Sequence, residues 1–387
     1  MVGVLATAVD IGLVVWLSQP DQGSFRLVSI DVVALAAAAV VAYLLNRHLT
    51  FRGDRSARWV RRPSLFAGTA IVAAIIDIAV LLFLDWVGAP LLFAKTLAVL
   101  AAAVIRWVSY RRILLNEVRR ELSERLPRPP PPGELRLSVV IPAYQERELI
   151  TDTIRAIDGE LAAHLAAGSY ELVVVDDGSV DDTSAVAAAA GATVVRLEQN
   201  QGKGGAVRAG VLAANGKTIV FTDADLAYPA ALLLDVLAEV EAGWDVVVGS
   251  RRHHETNTLV KSGRLRLLGG RVINLLTQIV LLGYFRDTQC GLKGFRSDIG
   301  KAIFERTRIT GFAFDVEVFL IAEQDRLSLT EIPVSVTNRS GSSVQVIGDT
   351  IDLVGALFRI RRWAGAGRYE PSEAQAAVLE ARATAIC

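Results

Sequence analysis

Two aspartates, Asp223 and Asp225, stand one residue apart in TDADLAYP (222–229), directly after the apolar run KTIVF. Acids at the end of a strand can build a turn, clamp a ribose or supply half of a metal site. The pair alternates along an extended chain, so a bend after the strand can turn both carboxylates toward one hard cation. Such a cation takes oxygen ligands and keeps positions open for substrate phosphates. A diphosphate leaving group needs it, because negative charge accumulates on that group as a glycosyl bond breaks. Three more polar clusters follow apolar runs in the same manner: PAYQERE (142–148), DDGSVDDT (176–183) and GSRR (249–252). Asp176 and Asp177 in the second of these also fit a strand-end turn with helix capping.

The elements that position these clusters are short β-rich runs alternating with alanine-rich helical stretches: LSVVI (137–141), ELVVV (171–175), TVVRL (193–197), KTIVF (217–221) and WDVVVG (244–249). Nearly continuous apolar strands alternating with helices predict a doubly wound, mostly parallel sheet covered on both faces. Ligands then bind outside the carboxyl ends of the strands, where all four clusters fall. A dinucleotide motif fails on spacing. NQGKGGAVRAG (200–210) follows the third strand, and Val207 occupies the last glycine position.

Residues 1–115 have another character. Four apolar stretches, near 2–18, 28–45, 64–86 and 91–108, approach or reach the roughly 20 residues that cross a bilayer as a helix. Arginines crowd NRHLTFRGDRSARWVRR and RWVSYRRILLNEVRR, while SQPDQGSFR and DWVGAP are nearly free of Lys and Arg. The positive-inside rule therefore puts both termini and the remaining chain on the cytoplasmic side of a multi-pass protein of the cell membrane. AVDIGLVVWL (8–17) resembles IIDIAVLLFL (75–84), and YLLNRHLTF (43–51) corresponds to WVSYRRILL (107–115), so one helical hairpin is used twice. Asp10 and Asp77 then match inside apolar runs. Ionisable groups at that depth mark either a functional site or a position near the outer interface or paired with a neighbouring helix. The charged and proline-rich 116–136 is expected to be a semi-rigid linker. The alanine-rich 365–387, without turn signals, is expected to be a disordered tail.

With 41 basic and 41 acidic residues the net charge is zero, which excludes nucleic acid as the expected partner. The two cysteines, Cys290 and Cys387, make no disulfide framework, and the four histidines have no zinc spacing.

VVIPAYQERELI, ELVVVDDGSVDDT, NQGKGGAVRAG, TDADLAYP, VVVGSR and DTQCGLKGFR together resemble the successive motifs of family-two glycosyltransferases, on the branch of dolichyl-phosphate mannose synthase and dolichyl-phosphate glucosyltransferase. The likeness runs in unbroken order over 137–364. Independently, VDIGLVVWL, YLLNRHLTFR and the hairpin repeat resemble the GtrA-like membrane family. The resemblance implies a GT-A-type fold behind an all-α four-helix transmembrane domain. It also implies transfer of a hexose, with inversion, from a nucleoside-diphosphate sugar to a polyprenyl or dolichyl monophosphate, with Mg²⁺ or Mn²⁺.

By motif, Pro142, Tyr144 and Glu146 are expected to line the nucleotide pocket, and Asp177 to meet the base or ribose with Asp176 supporting it. Asp223 is expected near the sugar-nucleotide and Asp225 as the main metal ligand. Arg251 would approach a phosphate, and Lys203 is open between a phosphate contact and a solvated loop charge. Asp287, Gln289 and Lys293 fall near the sugar in RDTQCGLKGF, Asp287 as a base or an orienter. Arg264 and Arg271 begin a surface-lying helix (264–285) beside the lipid, and 343–363 is a second amphipathic stretch with a basic end. Mannose synthases carry a glutamine two residues after the second aspartate, where this chain has Ala227, so UDP-glucose is favoured over GDP-mannose as donor. A processive synthase would carry QxxRW, and RIRRW (359–363) lacks the glutamine. A lipid-linked-sugar transporter or membrane scaffold is the reading from another class. Four short helices also make a homo-oligomer an expected partner state.

Overall fold

The computed structural model describes residues 2–18, 24–45, 63–105, 129–251, 287–335 and 346–380. The chain divides into two compact units, Met1–Glu117 and Val118–Cys387.

The first unit contains α1 (Val2–Leu17), α2 (Ser24–Leu45), α3 (Pro63–Trp86) and α4 (Leu91–Ile105). One stretch, Val28–Leu45, is long and apolar enough to cross a membrane, while Thr7–Leu17 and Leu91–Ile105 are apolar but shorter. Small side chains let the backbones approach, with Ala34, Ala94 and Ala98 packing around Val14 and Leu81. Large apolar groups such as Trp16, Ile75, Phe83 and Phe93 point outward.

Inside, each helix contributes one charged side chain. Lys95 on α4 places Nζ 2.5 Å from Asp31 Oδ1, 2.6 Å from Asp77 Oδ2 and 3.2 Å from Asp10 Oδ1, with the lysine wholly buried. Asp10 and Asp77 thus pair with a neighbouring helix, the second of the two readings open from sequence. Their partners are visible in the repeat as well, since Asp31 and Lys95 are 64 residues apart, the same offset that aligns Tyr43 with Trp107. Removing one partner of a buried ion pair strands the others in a medium of low dielectric constant, at about 3–5 kcal/mol. Lys95→Met should therefore lower the thermal unfolding temperature of the detergent-solubilised first unit, and an unchanged transition would show that the cluster holds nothing together.

The second unit is built on a seven-stranded sheet: β1 (Leu135–Ala143), β2 (Tyr170–Asp176), β3 (Thr193–Arg196), β4 (Gly216–Phe221), β5 (Val246–Ser250), β6 (Lys293–Arg296) and β7 (Leu329–Pro333). The order is β3-β2-β1-β4-β6-β5-β7. All neighbours run parallel except β6, which is antiparallel to both β4 and β5. The sheet is therefore mixed. Successive strand residues point to opposite faces. Val140, Val173, Val175, Ile219 and Phe221 enter one core with Phe295, Phe304 and Phe314. Val139, Ile141, Val174, Val220 and Val247 enter the other with Ile154, Ile157 and Val236. Helices α5 (Ile150–His164), α6 (Thr183–Ala189) and α8 (Leu232–Glu241) supply the second layer, and α7 (Lys203–Ala213) lies on the first.

Three expectations change here. The proline segment is fastened at its end: Arg296 donates to Pro129 O from both terminal nitrogens at 3.0 Å, and Ser297 hydroxyl is close to Pro132 O at 2.5 Å. A polyproline stretch has free carbonyls, so any buried donor can capture it. The expected disordered tail continues as ordered chain to Glu380, because Tyr369 is buried in the first core and a further helix spans Glu373–Glu380. The helix Val346–Gly365 directs Ala356, Leu357 and Ile360 into that same core, leaving Phe358 exposed. Residues 264–285, with Arg264 and Arg271, lie outside the described residues.

Candidate active site

The four polar clusters meet along the carboxyl edge of β1, β2, β4 and β5, as parallel pairing requires. After β4 the chain turns at once. Leu226 takes a positive φ of 48° and donates its N–H to Asp223 O at 3.2 Å. A branched residue rarely accepts this left-handed conformation, and it holds here because Ala224, Leu226 and Tyr228 are buried. The alternation leaves Asp223 and Asp225 partly exposed on the opposite side. Asp225 Oδ1 accepts the N–H of Ala227 at 3.1 Å, an Asx turn that fixes the side chain.

Two neighbours define the place of Asp223. Lys203 Nζ, from the first turn of α7, is 2.5 Å from its Oδ1. A Cβ on Gly291 would come within 2.0 Å of its Oδ2, so only glycine leaves room for the carboxylate. Burial disfavours the Lys203 ammonium, but the charges of Asp223 and Asp315 outweigh it and raise its pKa. The open choice for Lys203 is thereby decided in part: its charge is engaged with the acid at the strand end.

The glycine-rich turn is held from below. Asp177, almost wholly buried, accepts from Gln201 N at 2.7 Å and from Gly202 N at 2.8 Å, one on each oxygen. Each oxygen of the residue expected to meet a base or ribose thus accepts one N–H from the loop that carries Lys203. Burial raises the Asp177 pKa in spite of these bonds. Asp176 accepts from Ser179 N at 2.9 Å and from the Ser184 hydroxyl, closing the turn between β2 and α6, a supporting role. Pro142, the next-to-last residue of β1, is half-buried, and Tyr144 just beyond the strand is 44% exposed. Glu146 anchors its N–H on Thr183 Oγ1 at 3.0 Å. Its carboxyl pKa is raised by burial first, and then by the charges of Asp225 and Asp181.

Beyond β5 lies a fork whose carboxylate is buried and whose arginine side chain is 42% exposed. Arg251 donates to Asp287 through Nε at 2.6 Å and through a terminal nitrogen at 2.9 Å, and its backbone N–H reaches the same carboxylate at 3.1 Å. Burial works to raise the Asp287 pKa, yet the guanidinium prevails and holds it below its ordinary value of 3.8. Asp287 is therefore an orienter of Arg251 and a poor proton acceptor near neutral pH. Gln289 is exposed beside it, with its N–H on Asp287 Oδ1 at 3.3 Å. Lys293 is a correction. It is fully buried in β6, where Nζ donates to Cys290 O at 2.6 Å and Asp315 Oδ1 at 2.7 Å and lies over the Phe221 ring, so it does not reach toward a sugar.

Asp315 is a site residue that motif reasoning missed. Its carboxylate joins Lys293 and lies within electrostatic reach of Lys203 and Asp223. The signal was present in FAFDVEVFL (312–320), where two acids interrupt a run too apolar to face water.

Among the described residues no group of three or more His, Cys, Asp or Glu side chains is arranged to hold a metal ion. A hard cation that needs only one or two carboxylates, with phosphate and water completing its shell, still fits Asp223 and Asp225. Both are oxygen donors, part-exposed at one turn; Asp223 Oδ1 is held by Lys203, which leaves Oδ2 and the Asp225 carboxylate for a cation.

Gly291→Ala should displace the Asp223 carboxylate while leaving the sheet intact. Turnover is expected to fall about a hundredfold, as for a misplacement of roughly 1 Å, with the unfolding midpoint nearly constant; wild-type turnover would show that this carboxylate's position is immaterial. The fork gives a second expectation. A depressed carboxylate pKa stabilises the fold above its ordinary value and ceases to do so as pH falls through the folded value. Arg251→Gln should therefore unfold more readily than wild type at neutral pH, with the difference vanishing below the acid range of Asp287 in urea titrations.

Residues 138–304 match the profile of glycosyl transferase family 2, and residues 1–115 match that of the GtrA/DPMS transmembrane domain. A dolichyl-phosphate beta-glucosyltransferase of Drosophila melanogaster is 31% identical over 69% of this chain and 90% of its own. The proteins of that description from Saccharomyces cerevisiae (31%; 64% of this chain, 82% of that one) and Dictyostelium discoideum (30%; 60% and 75%) are similar in the same way. A crystal structure of glucosyl-3-phosphoglycerate synthase from Mycobacterium tuberculosis with phosphoglyceric acid superposes with a TM-score of 0.47 at 22% identity, over 64% of this chain and 84% of that one.

Proposed function

The chain belongs to the family 2 glycosyltransferases, and from that premise we propose that it transfers glucose from UDP-glucose to a polyprenyl or dolichyl monophosphate. The observation that carries this reading is the turn after β4, where Asp223, Asp225 and Lys203 converge at the edge that receives nucleotides in such sheets. It is supported by likeness to dolichyl-phosphate beta-glucosyltransferases across nine-tenths of one such relative.

An oxygen of the acceptor phosphate attacks the anomeric carbon from the face opposite the diphosphate. The carbon–oxygen bond to the diphosphate breaks, its electron pair leaves with UDP, and a β-linked lipid-phosphate sugar results. A phosphate monoester is already anionic at neutral pH, so no strong base is needed. This agrees with an Asp287 held ionised by Arg251. The guanidinium at the end of β5 offers planar, permanently charged recognition of a phosphate. The ammonium of Lys203 places positive charge where the leaving group gains negative charge. Mg²⁺ or Mn²⁺, held by Asp225 and Asp223 with the donor's phosphates, would supply further neutralisation of the diphosphate.

The first unit carries the enzyme at the bilayer, where its acceptor resides. In this reading all four helices cross, the arginine-rich segments 46–62 and 106–120 face the cytoplasm with the catalytic unit, and copies associate through the membrane helices.

Membranes containing the protein, given labelled UDP-glucose or GDP-mannose and a polyprenyl phosphate, should form a chelator-sensitive lipid product from UDP-glucose. Asp225→Asn should lower its rate by about a hundredfold or more. A product from GDP-mannose alone would replace the donor, and no lipid product from either sugar would overturn the reaction class.

A further inference from the structure

Tyr369 lies in the segment whose sequence carries no structural signal, yet it is among the most deeply buried side chains of the chain. Its hydroxyl donates to Glu317 Oε1 at 2.6 Å, and Arg306 donates to its backbone oxygen at 3.1 Å. The other oxygen of Glu317 accepts two consecutive backbone N–H groups, Arg308 at 2.8 Å and Ile309 at 2.9 Å. Those residues lead into Thr310, whose carbonyl accepts Gly205 N–H at 3.1 Å. The contact is close enough to demand glycine. A Cβ at Gly202 would be 2.8 Å from Thr310 O, and one at Gly204 would be 2.7 Å from Phe314 Cβ and 2.8 Å from Ile309 O. Lys203 stands between these two glycines, facing Asp223.

We propose that Tyr369 is a positioning residue for the donor site: through Glu317 it fixes segment 308–310, against which Gly202–Gly205 close, and so sets where Lys203 meets Asp223. This rests on the reading of the strand-end edge as the donor site. The physical basis is that a buried carboxylate is costly unless its oxygens are satisfied. Burial pushes the Glu317 carboxyl up, and the three donors oppose that shift. Without the Tyr369 hydroxyl, Oε1 loses its donor and the carboxylate has reason to leave the two amides it holds. Asp177 grips the glycine turn from the β2 side and Thr310 from the other, so releasing 308–310 frees one jaw of the clamp.

The test is hydrogen exchange on the full-length protein in detergent, without added donor. Tyr369→Phe should speed exchange at the amides of 202–206 and 308–310 about tenfold, while the amides of β1 and β4 keep their wild-type rates. The kcat should fall about tenfold with the KM for UDP-glucose within about twofold of wild type, because the Lys203 charge acts on the departing diphosphate. Glu317→Gln alone should keep wild-type exchange, because its carboxamide oxygen still accepts the two amides and its NH2 can donate to the phenol oxygen. Unchanged exchange at 202–206 in Tyr369→Phe, or acceleration spread evenly through β1 and β4, overturns the positioning role. If Tyr369→Phe does not fold, Glu317→Leu decides: fast exchange at 308–310 and 202–206 sustains the proposal, and wild-type rates there defeat it. Exchange does not depend on which sugar is used, so a failed donor panel strikes the reaction and leaves this result standing.

Discussion

The carboxylate of Asp223 is the point around which the catalytic edge is arranged. It emerges from β4, is met by an ammonium from α7, and fits only because the residue facing it from the approach to β6 has no side chain. A buried or half-buried carboxylate needs a countercharge and room at once. Two distant segments supply these, the glycine turn after β3 the charge and Gly291 the space. The antiparallel insertion of β6 between β4 and β5 is what brings Gly291 there, so the departure from a purely parallel sheet serves the site directly.

The same economy of space governs the rest of the edge. Gly294 in β6 would place a Cβ 2.1 Å from Val236, and Gly210 in α7 would place one 2.3 Å from Val140, so helices lie hard against the sheet on both faces. With so little slack, the loops at the strand ends are set by hydrogen bonds to fixed backbone positions: Asp176 and Asp177 for the turns after β2 and β3, and Glu317 for 308–310. Acids in this unit hold backbone as often as they face the site. Chemistry and architecture use the same residue type, and burial separates the two roles.

The first unit solves a related problem in apolar surroundings. Three carboxylates from three helices converge on one ammonium from the fourth, which ties the bundle together at a single depth. Packing of alanines gives little directional preference. A shared charge at the centre, by contrast, specifies which faces of the helices turn inward, since any other rotation would leave an ion in apolar surroundings.

Much was legible because it depends on local pattern. β1 to β5 are nearly continuous apolar runs, and the acids after them mark the carboxyl edge of a parallel sheet whatever the loops do. Asp10 and Asp77 could be matched through the repeat. What sequence could not reveal depends on partners far along the chain. β6 reads KGFR, with a lysine and a glycine in a central strand, and becomes a strand only because Asp315 neutralises Lys293 and Val236 fills the space over Gly294. Lys293 therefore looks like a ligand-binding cation in its motif and proves to be a core residue. The terminal segment was read as disorder from its alanines, yet one tyrosine with a buried acceptor 52 residues away holds it in place. Periodicity and strand-end chemistry determined the fold class and the location of the site. Only the tertiary structure decided which acids face that site and which face backbone, because burial and countercharge are properties of the assembled neighbours and are absent from any short stretch of chain.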